Sequence, residues 1–366
     1  MLRSFALALV VLVSGCGGRA DATEGAGGAG APNAQPIAGA PGTCVARAGV
    51  ASDVKGTRVA VAVVAADETD AYWIRSGPDS ASAAQIVRAS RAGGAVTVLA
   101  SGVDAQGIAV DEAFAYWVQR DGVVMRVPKA GGAPTEIVPK EARYRFSDGE
   151  GAHATASSAF GLVREGSDLF WVASLSIPGH WVGAILRVPT SGGDVSVVAS
   201  DLPSPLALTV DATHAYWVEG GAVRDSEPGL FKVDRRRGDP SIEQLATGET
   251  FRNVRGGADA RFSLVHDDIA LYWLSRHDAA VVRIDKAGGR PTPIATDVGD
   301  GVALAAGDGA VYFSRQRGAV GSVSRVATTG GPITSLFDAR AASLAFGPGG
   351  LVVLGDGEIS VVTGCR

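Results

Sequence analysis

The chain is poor in the residues that build reactive or metal-bound centres. Its 366 residues include only 3 Cys, 5 His and 2 Met. It contains no Cys-x-x-Cys pair, no His-Glu-x-x-His and no nucleophile elbow, so the common local signatures of metal and nucleophile chemistry are absent. Basic charge is also short: 33 Lys and Arg stand against 38 Asp and Glu, with pI ≈ 5.6. Nothing in that balance favours a nucleic-acid partner, which selects a concentrated basic surface. The longest apolar stretch of the N-terminus, Phe5 to Val13, is too short to span a bilayer as a helix. The Ala-Gly-Gly segments follow strand-like runs but lead into further strands. They therefore offer no helix N-terminus to a phosphate.

What is abundant is glycine, with 50 residues, and apolar side chains at 46%. That suits an all-β chain with many tight turns and ample core. The first residues, MLRSFALALVVLVSGC, carry a positive charge at Arg3 and an apolar core, the pattern of an export signal. Leu12-Val13-Ser14-Gly15-Cys16 resembles the lipobox of bacterial lipoproteins. That resemblance implies a signal peptide over 1–15 and lipidation of Cys16 by a diacylglycerol and an amide-linked chain, and two or more acyl chains anchor firmly. Gly17 stands where an Asp would signal inner-membrane retention, so the outer membrane is the expected location. Residues 16–43 are Gly/Ala/Pro-rich and read as a lipidated, flexible tether.

From residue 44 onward one unit repeats. An aromatic pair recurs at Tyr72-Trp73, Tyr116-Trp117, Phe170-Trp171, Tyr216-Trp217, Tyr272-Trp273 and Tyr312-Phe313. A Val/Ala-rich segment precedes each pair and usually ends in Asp, as in "VAVVAAD" and "LALTVD". A third segment follows, as in "VMRVPKA" and "VVRIDKA", then a Gly-Gly or Arg-Gly turn, then a fourth. The period falls in the range of propeller blades, and four short antiparallel strands make one blade. The pattern resembles the YWTD/NHL-type β-propellers and the bacterial lipoprotein versions with "YW…RV…GG" repeats. It implies an all-β propeller over 44–366 and says little about activity.

Six copies carry the aromatic pair. A seventh, "SLAFGPGGLVVLGDGEISVVTGCR", supplies three strands and stops. "CVARAGV" (Cys44 to Val50) precedes the first strand of blade 1 and is available as the missing fourth. The expected architecture is seven four-stranded blades with the last closed by the N-terminal strand; six blades with a C-terminal extension is the alternative. Cys44 would open that strand and Cys365 would end its neighbour. With Cys16 lipidated, these two remain, and export permits a disulfide. It would close a loop of about 320 residues, which the chain-entropy estimate values at roughly 5 to 6 kcal/mol as an upper figure.

The irregular segments fall on one face of such a ring. They are 139–158, 174–184, 219–229 and 247–261, all over blades 3 to 5, and long loops on a rigid scaffold are where binding concentrates. Trp181 is the one Trp outside the repeat position. With Arg143, Tyr144, Arg145, Phe146, His180, Phe251, Arg252 and Arg255 it forms the candidate binding patch, because aromatic and Arg side chains dominate interface hot spots. The competing role for Trp181 and Tyr144 is packing the insertions onto the scaffold. His214 and His266 fall on the opposite face as turn or packing residues. His153, His180 and His277 share the long-loop face but no metal spacing. Asp67, Asp111, Asp211 and Asp267 each sit in a different blade, spaced around the ring, and read as turn residues, not calcium ligands. The recurring Arg88, Arg126, Arg187, Arg283 and Arg325, with Lys232 in blade 4, marks a structural role between strands or blades.

The expected function is a lipid-anchored envelope module binding a protein, peptide or glycan, with no cofactor and no metal. The membrane is met only through the lipid. The rival expectation is a lyase or hydrolase with its site at the channel mouth of the same face, with His153, His180 or His277 involved.

Overall fold

The computed structural model describes residues 35–36, 46–52, 64–75, 84–140, 144–145, 153–177, 180–220, 227–236, 242–251, 263–318, 320–355 and 357–363. They form seven antiparallel sheets arranged as the blades of a propeller. Blade 1 runs Val64–Ala66, Asp70–Arg75, Ala84–Ser90 and Thr97–Val103, and five further blades repeat this order along the chain. Blade 7 takes Ala341–Gly347, Gly350–Gly355 and Glu358–Thr363 from the C-terminus, and Ala46–Ser52 from the other end. Ala46 pairs with Thr363 and Ser52 with Glu358, so the ring closes as the repeat count requires. Gln35–Pro36, inside the segment read as tether, adds a short fifth strand through Gln35–Arg47 and Pro36–Ala46. Cys16, Cys44 and Cys365 lie outside the described residues.

The aromatic pair explains the period. Strand alternation sends its two members to opposite faces of the blade. Trp217 packs with blade 3 residues such as Phe170 and Ile185, whereas Tyr216 packs with blade 5 residues such as Leu271 and Ile284. Trp273 and Tyr272 straddle the next blade in the same way. All five repeat tryptophans are fully buried. A blade thus covers neither of its own faces; its neighbours do. The Gly-Gly turns hold positive φ at each pair, for example 95° and 133° at Gly131 and Gly132, the conformation that tight hairpins require.

A second code runs along the face opposite the long loops. Asp211 Oδ1 accepts the backbone N–H groups of Thr213 and His214 at 2.8 Å each, and Oδ2 accepts the Tyr216 hydroxyl at 2.9 Å. Asp67, Asp111 and Asp267 do the same for the Tyr five residues on. The recurring carboxylates are therefore turn residues, as their sequence suggests, and also hold the aromatic pair. Burial pushes the Asp211 carboxyl up, but the Lys286 ammonium and the two N–H groups outweigh it and hold the group well below the usual carboxylate range. Burial and the same Asp211 push Tyr216 far above an ordinary phenol. Blade 6 has Gly307 at the Asp position. Tyr312 there stacks on Phe346 of blade 7 at 5.3 Å, and a Cβ on Gly307 would collide with that ring.

Cations carry the code from blade to blade. Lys129 of blade 2 reaches Asp67 of blade 1 at 2.5 Å, and Lys286 of blade 5 reaches Asp211 of blade 4 at 2.7 Å. Arg91 of blade 1 donates to the Pro348 carbonyl of blade 7, across the closure. In blades 2 and 3 the repeated Arg points the other way round the ring: Arg126 donates to Thr190 O (2.9 Å) and Arg187 to Arg235 O (3.5 Å), whereas Arg88 and Arg283 bond Asp70 and Asp285 of their own blades. Lys232 donates to Lys286 O at 3.2 Å, so its Lys-for-Arg exchange keeps the contact. His266 belongs to this layer, bridging Asp267 O and Val210 O of blade 4. Asp211→Ala removes four hydrogen bonds and leaves the Lys286 ammonium, 14% exposed, without its carboxylate. It is expected to lower unfolding free energy by about 2–4 kcal/mol in urea titrations; an unchanged midpoint would show that the clasp stabilises nothing.

Candidate functional site

Blade 3 is built differently from the rest. Its first three strands are His153–Glu165, Asp168–Ile177 and His180–Pro189, of 13, 10 and 10 residues. The corresponding strands of blades 1 and 2 have 3 to 7. The excess lies at the long-loop end, so the blade stands above that face as an overhang. Three segments read from sequence as loop, 153–158, 174–177 and 180–184, are strand. Thr155 pairs with Ser176, Ser176 with Trp181, and Ile177 with His180. Tyr144–Arg145 adds a fifth strand, pairing Tyr144 with Ala154 and Arg145 with His153.

The base of the overhang is anchored. Leu175 and Val182 are buried with Val118, Val124 and Val138 of blade 2. On the side of blade 4, a Cβ on Gly183 would sit 2.5 Å from Pro205 Cδ and 2.6 Å from Leu202 O. Only glycine lets the third strand press on the connection from blade 3 to blade 4. Immediately beyond lies Glu219, paired in register with Pro205 and only 3% exposed. Its Oε2 accepts Ser204 N–H at 2.7 Å, and its Oε1 accepts the Trp217 indole N–H at 2.8 Å. Burial pushes the Glu219 carboxyl up to about 7, and the two hydrogen bonds only partly offset that. Sequence reasoning missed this residue, because nothing local to "YWVEG" reports that the carboxyl is enclosed.

The backbone thus brings Tyr144, Arg145, His180 and Trp181 of the expected patch into one sheet. Arg143, Phe146, Arg252 and Arg255 lie outside the described residues. Phe251 has a different role. It is fully buried and stacks on Trp273 at 5.2 Å, while Thr250 accepts the Trp273 indole N–H at 3.2 Å. Its ring packs the blade 4 to 5 connection onto the scaffold and does not face outward. His153 and His180 stand in the overhang of blade 3, whereas His277 belongs to a hairpin of blade 5.

Two other places bear on chemistry. At that blade 5 hairpin, Ser275 donates to Asp278 Oδ2 at 2.7 Å and His277 Nδ1 lies 2.9 Å from Asp278 Oδ1. The serine is 1% exposed and bonds the carboxylate, not the imidazole. That holds a turn and does not assemble a nucleophile–base pair. In the central channel, the first strands line a cavity of about 180 Å³, and among the described residues no ionisable side chain reaches it. Among the described residues, no group of three His, Cys, Asp or Glu is placed to hold a metal ion.

No protein-family model and no curated protein matches the chain. Solved structures do. A puromycin-hydrolyzing peptidase of Mycobacterium tuberculosis superposes with TM-score 0.58 at 14% identity, covering 86% of this chain and 52% of the peptidase. This chain therefore spans about half of that protein. A catalytically inactive His-to-Ala variant of virginiamycin B lyase from Staphylococcus aureus, with quinupristin, gives TM-score 0.56 at 13% identity over 87% of this chain and 98% of the lyase. The computationally designed Ika8 protein gives 0.50 at 13% identity, over 86% and 100%. At these identities the likeness is one of fold.

The buried carboxyl yields a pH prediction. Glu219 is raised in the folded state, so its neutral form is the favoured one. Its contribution is full below the unfolded carboxylate value and is lost as pH rises through about 7. Between pH 5 and pH 8 the native protein is expected to lose about 3 kcal/mol relative to Glu219→Gln, read as diverging urea midpoints. Parallel pH profiles would contradict the assignment.

Proposed function

We propose that the chain is a lipid-anchored cell-envelope propeller that binds a protein, peptide or glycan through its long-loop face. The observation that carries this reading is the overhang of blade 3, where backbone pairing sets Arg145 beside His153 and Trp181 beside Ser176. Arg and Trp are enriched among interface hot spots, and the backbone of the overhang sets both in one sheet. The ring code uses the Arg and aromatic residues of the opposite face internally, which leaves the overhang as the place for a partner. The lipobox at Cys16 supports anchoring, and Gly17 favours the outer membrane.

An enzyme at the channel mouth, lyase or hydrolase in type, is the rival. The lyase and the peptidase share its fold, but the described cavity offers no acid or base, and Ser275 is occupied by Asp278. The binding reading is therefore preferred. A pull-down from envelope extract should recover partners with the intact protein and lose them with a Trp181→Ala, Arg145→Ala double variant of unchanged melting temperature. Recovery of the same partners by both would remove the patch.

We also infer a Cys44–Cys365 disulfide across the closure. The described ladder pairs Ala46 with Thr363. The same register extended by two steps would set position 44 opposite position 365. Opposed Cα atoms in antiparallel sheets lie about 4.5–5.5 Å apart, within the range disulfides span. Non-reducing mass spectrometry of the 44–366 fragment is expected to yield the linked peptide; two alkylatable thiols in the native protein would refute it.

A further inference from the structure

The channel cavity has a chemistry that the overhang does not use. Six of the seven blades wall it, with Val64, Phe160, Leu208, Leu264, Leu304 and Leu344 contributed one from each. Blade 2 is excluded. The first strand of blade 3 shifts register between Phe160 and Val163, around Gly161 at φ 69°, and comes to lie against Gly107. A Cβ on Gly107 would stand 2.5 Å from Leu162 N, so blade 2 yields its place at the wall to blade 3.

Size and polarity together define an occupant. At about 180 Å³ the space exceeds the ~150 Å³ of an apolar cavity known to take benzene. It fits one six-membered ring with a small substituent. Among the described residues no Asp, Glu, Lys, Arg or His lines it, and these apolar and neutral walls offer a charged group no compensation for its desolvation. Polar partners are few and neutral. Thr209 of blade 4 and Ser343 of blade 7 bring hydroxyls to the wall, and Ser263 is engaged with Val302 O at 3.0 Å. The first strands of blades 4 to 7 are also the terminal members of their sheets. Their inner edges carry backbone N–H and C=O groups that no strand covers.

We propose that the central cavity is a binding site for a single neutral ring-sized molecule bearing one hydroxyl or carbonyl, of the monocyclic phenol type. The ligand's ring contacts the leucine wall, and its polar substituent bonds Thr209 or Ser343. The site is independent of the overhang and of the lipid anchor.

The test is a ¹⁹F NMR titration of the 44–366 chain with 4-fluorophenol, fluorobenzene and 4-fluorobenzoate. Saturable binding of the phenol is expected, with fluorobenzoate bound at least tenfold more weakly. Ala342→Phe fills the space and should abolish phenol binding while leaving near-UV circular dichroism unchanged. Thr209→Val and Ser343→Ala keep the cavity open even if the filled variant fails to fold. At least one of them should weaken the phenol several-fold and leave fluorobenzene as it was. Non-saturable phenol binding, equal binding of the benzoate, or hydroxyl variants that leave the phenol unchanged would each overturn the proposal.

Discussion

Each blade of this protein has two apolar faces and can cover neither. That constraint, a sheet stable only between two others, governs the rest of the structure. It sets the aromatic pair, one large ring to each side, and it forbids an end to the series. A linear stack would leave two sheet faces in water, whereas a closed ring leaves none. The last blade is consequently assembled from both ends of the chain. Burying a side chain such as Trp273 contributes on the order of 3–5 kcal/mol by the usual large-to-small comparison, and the rings of all six pairs are buried.

Directional contacts then fix which blade meets which. The Asp–Tyr clasp ties the hairpin between the first two strands to the aromatic pair. A cation from the following blade reaches back to it in blades 2 and 5. In blades 2, 3 and 4 the Arg or Lys of the third strand reaches forward to a carbonyl of the next blade. Surface ion pairs contribute little in general, but Lys129 and Lys286 are 12% and 14% exposed and sit over tyrosine rings. The face that carries these contacts is thereby committed to the fold, and the opposite face is free to vary. Blade 3 uses that freedom, extending three strands beyond the ring.

The architecture was legible in the sequence because it is periodic. Tyr-Trp spacing, the Gly-Gly turns and the three-strand C-terminal unit together imply seven blades and the closing strand. The recurring Asp was legible as a turn residue. Its bond to the Tyr five residues on was not drawn from the same spacing, although Asp211 and Tyr216 carry it. The overhang was read as loop because "HATASS" and "SLSI" are small and polar, without the β-branched alternation that marks a strand. Phe251 stands in a polar segment and suggested an exposed anchor; its burial against Trp273 depends on a contact 22 positions away. Glu219 is silent in the sequence for a related reason. Its hydrogen-bond partner Ser204 lies 15 positions back, on the connection into its own blade, and Pro205 beside it is met by Gly183 of the neighbouring blade.

The central claim is that the N-terminal strand completes the ring. It is tested most directly by comparing the thermal unfolding of chains that begin at residue 37 and at residue 53, under reducing conditions. The first retains Ala46–Ser52 and is expected to unfold in one cooperative transition. The second leaves the Glu358–Thr363 edge and the adjoining faces of blades 7 and 1 uncovered, and is expected to melt many degrees lower or fail to fold. Equal melting temperatures for the two chains would contradict the account.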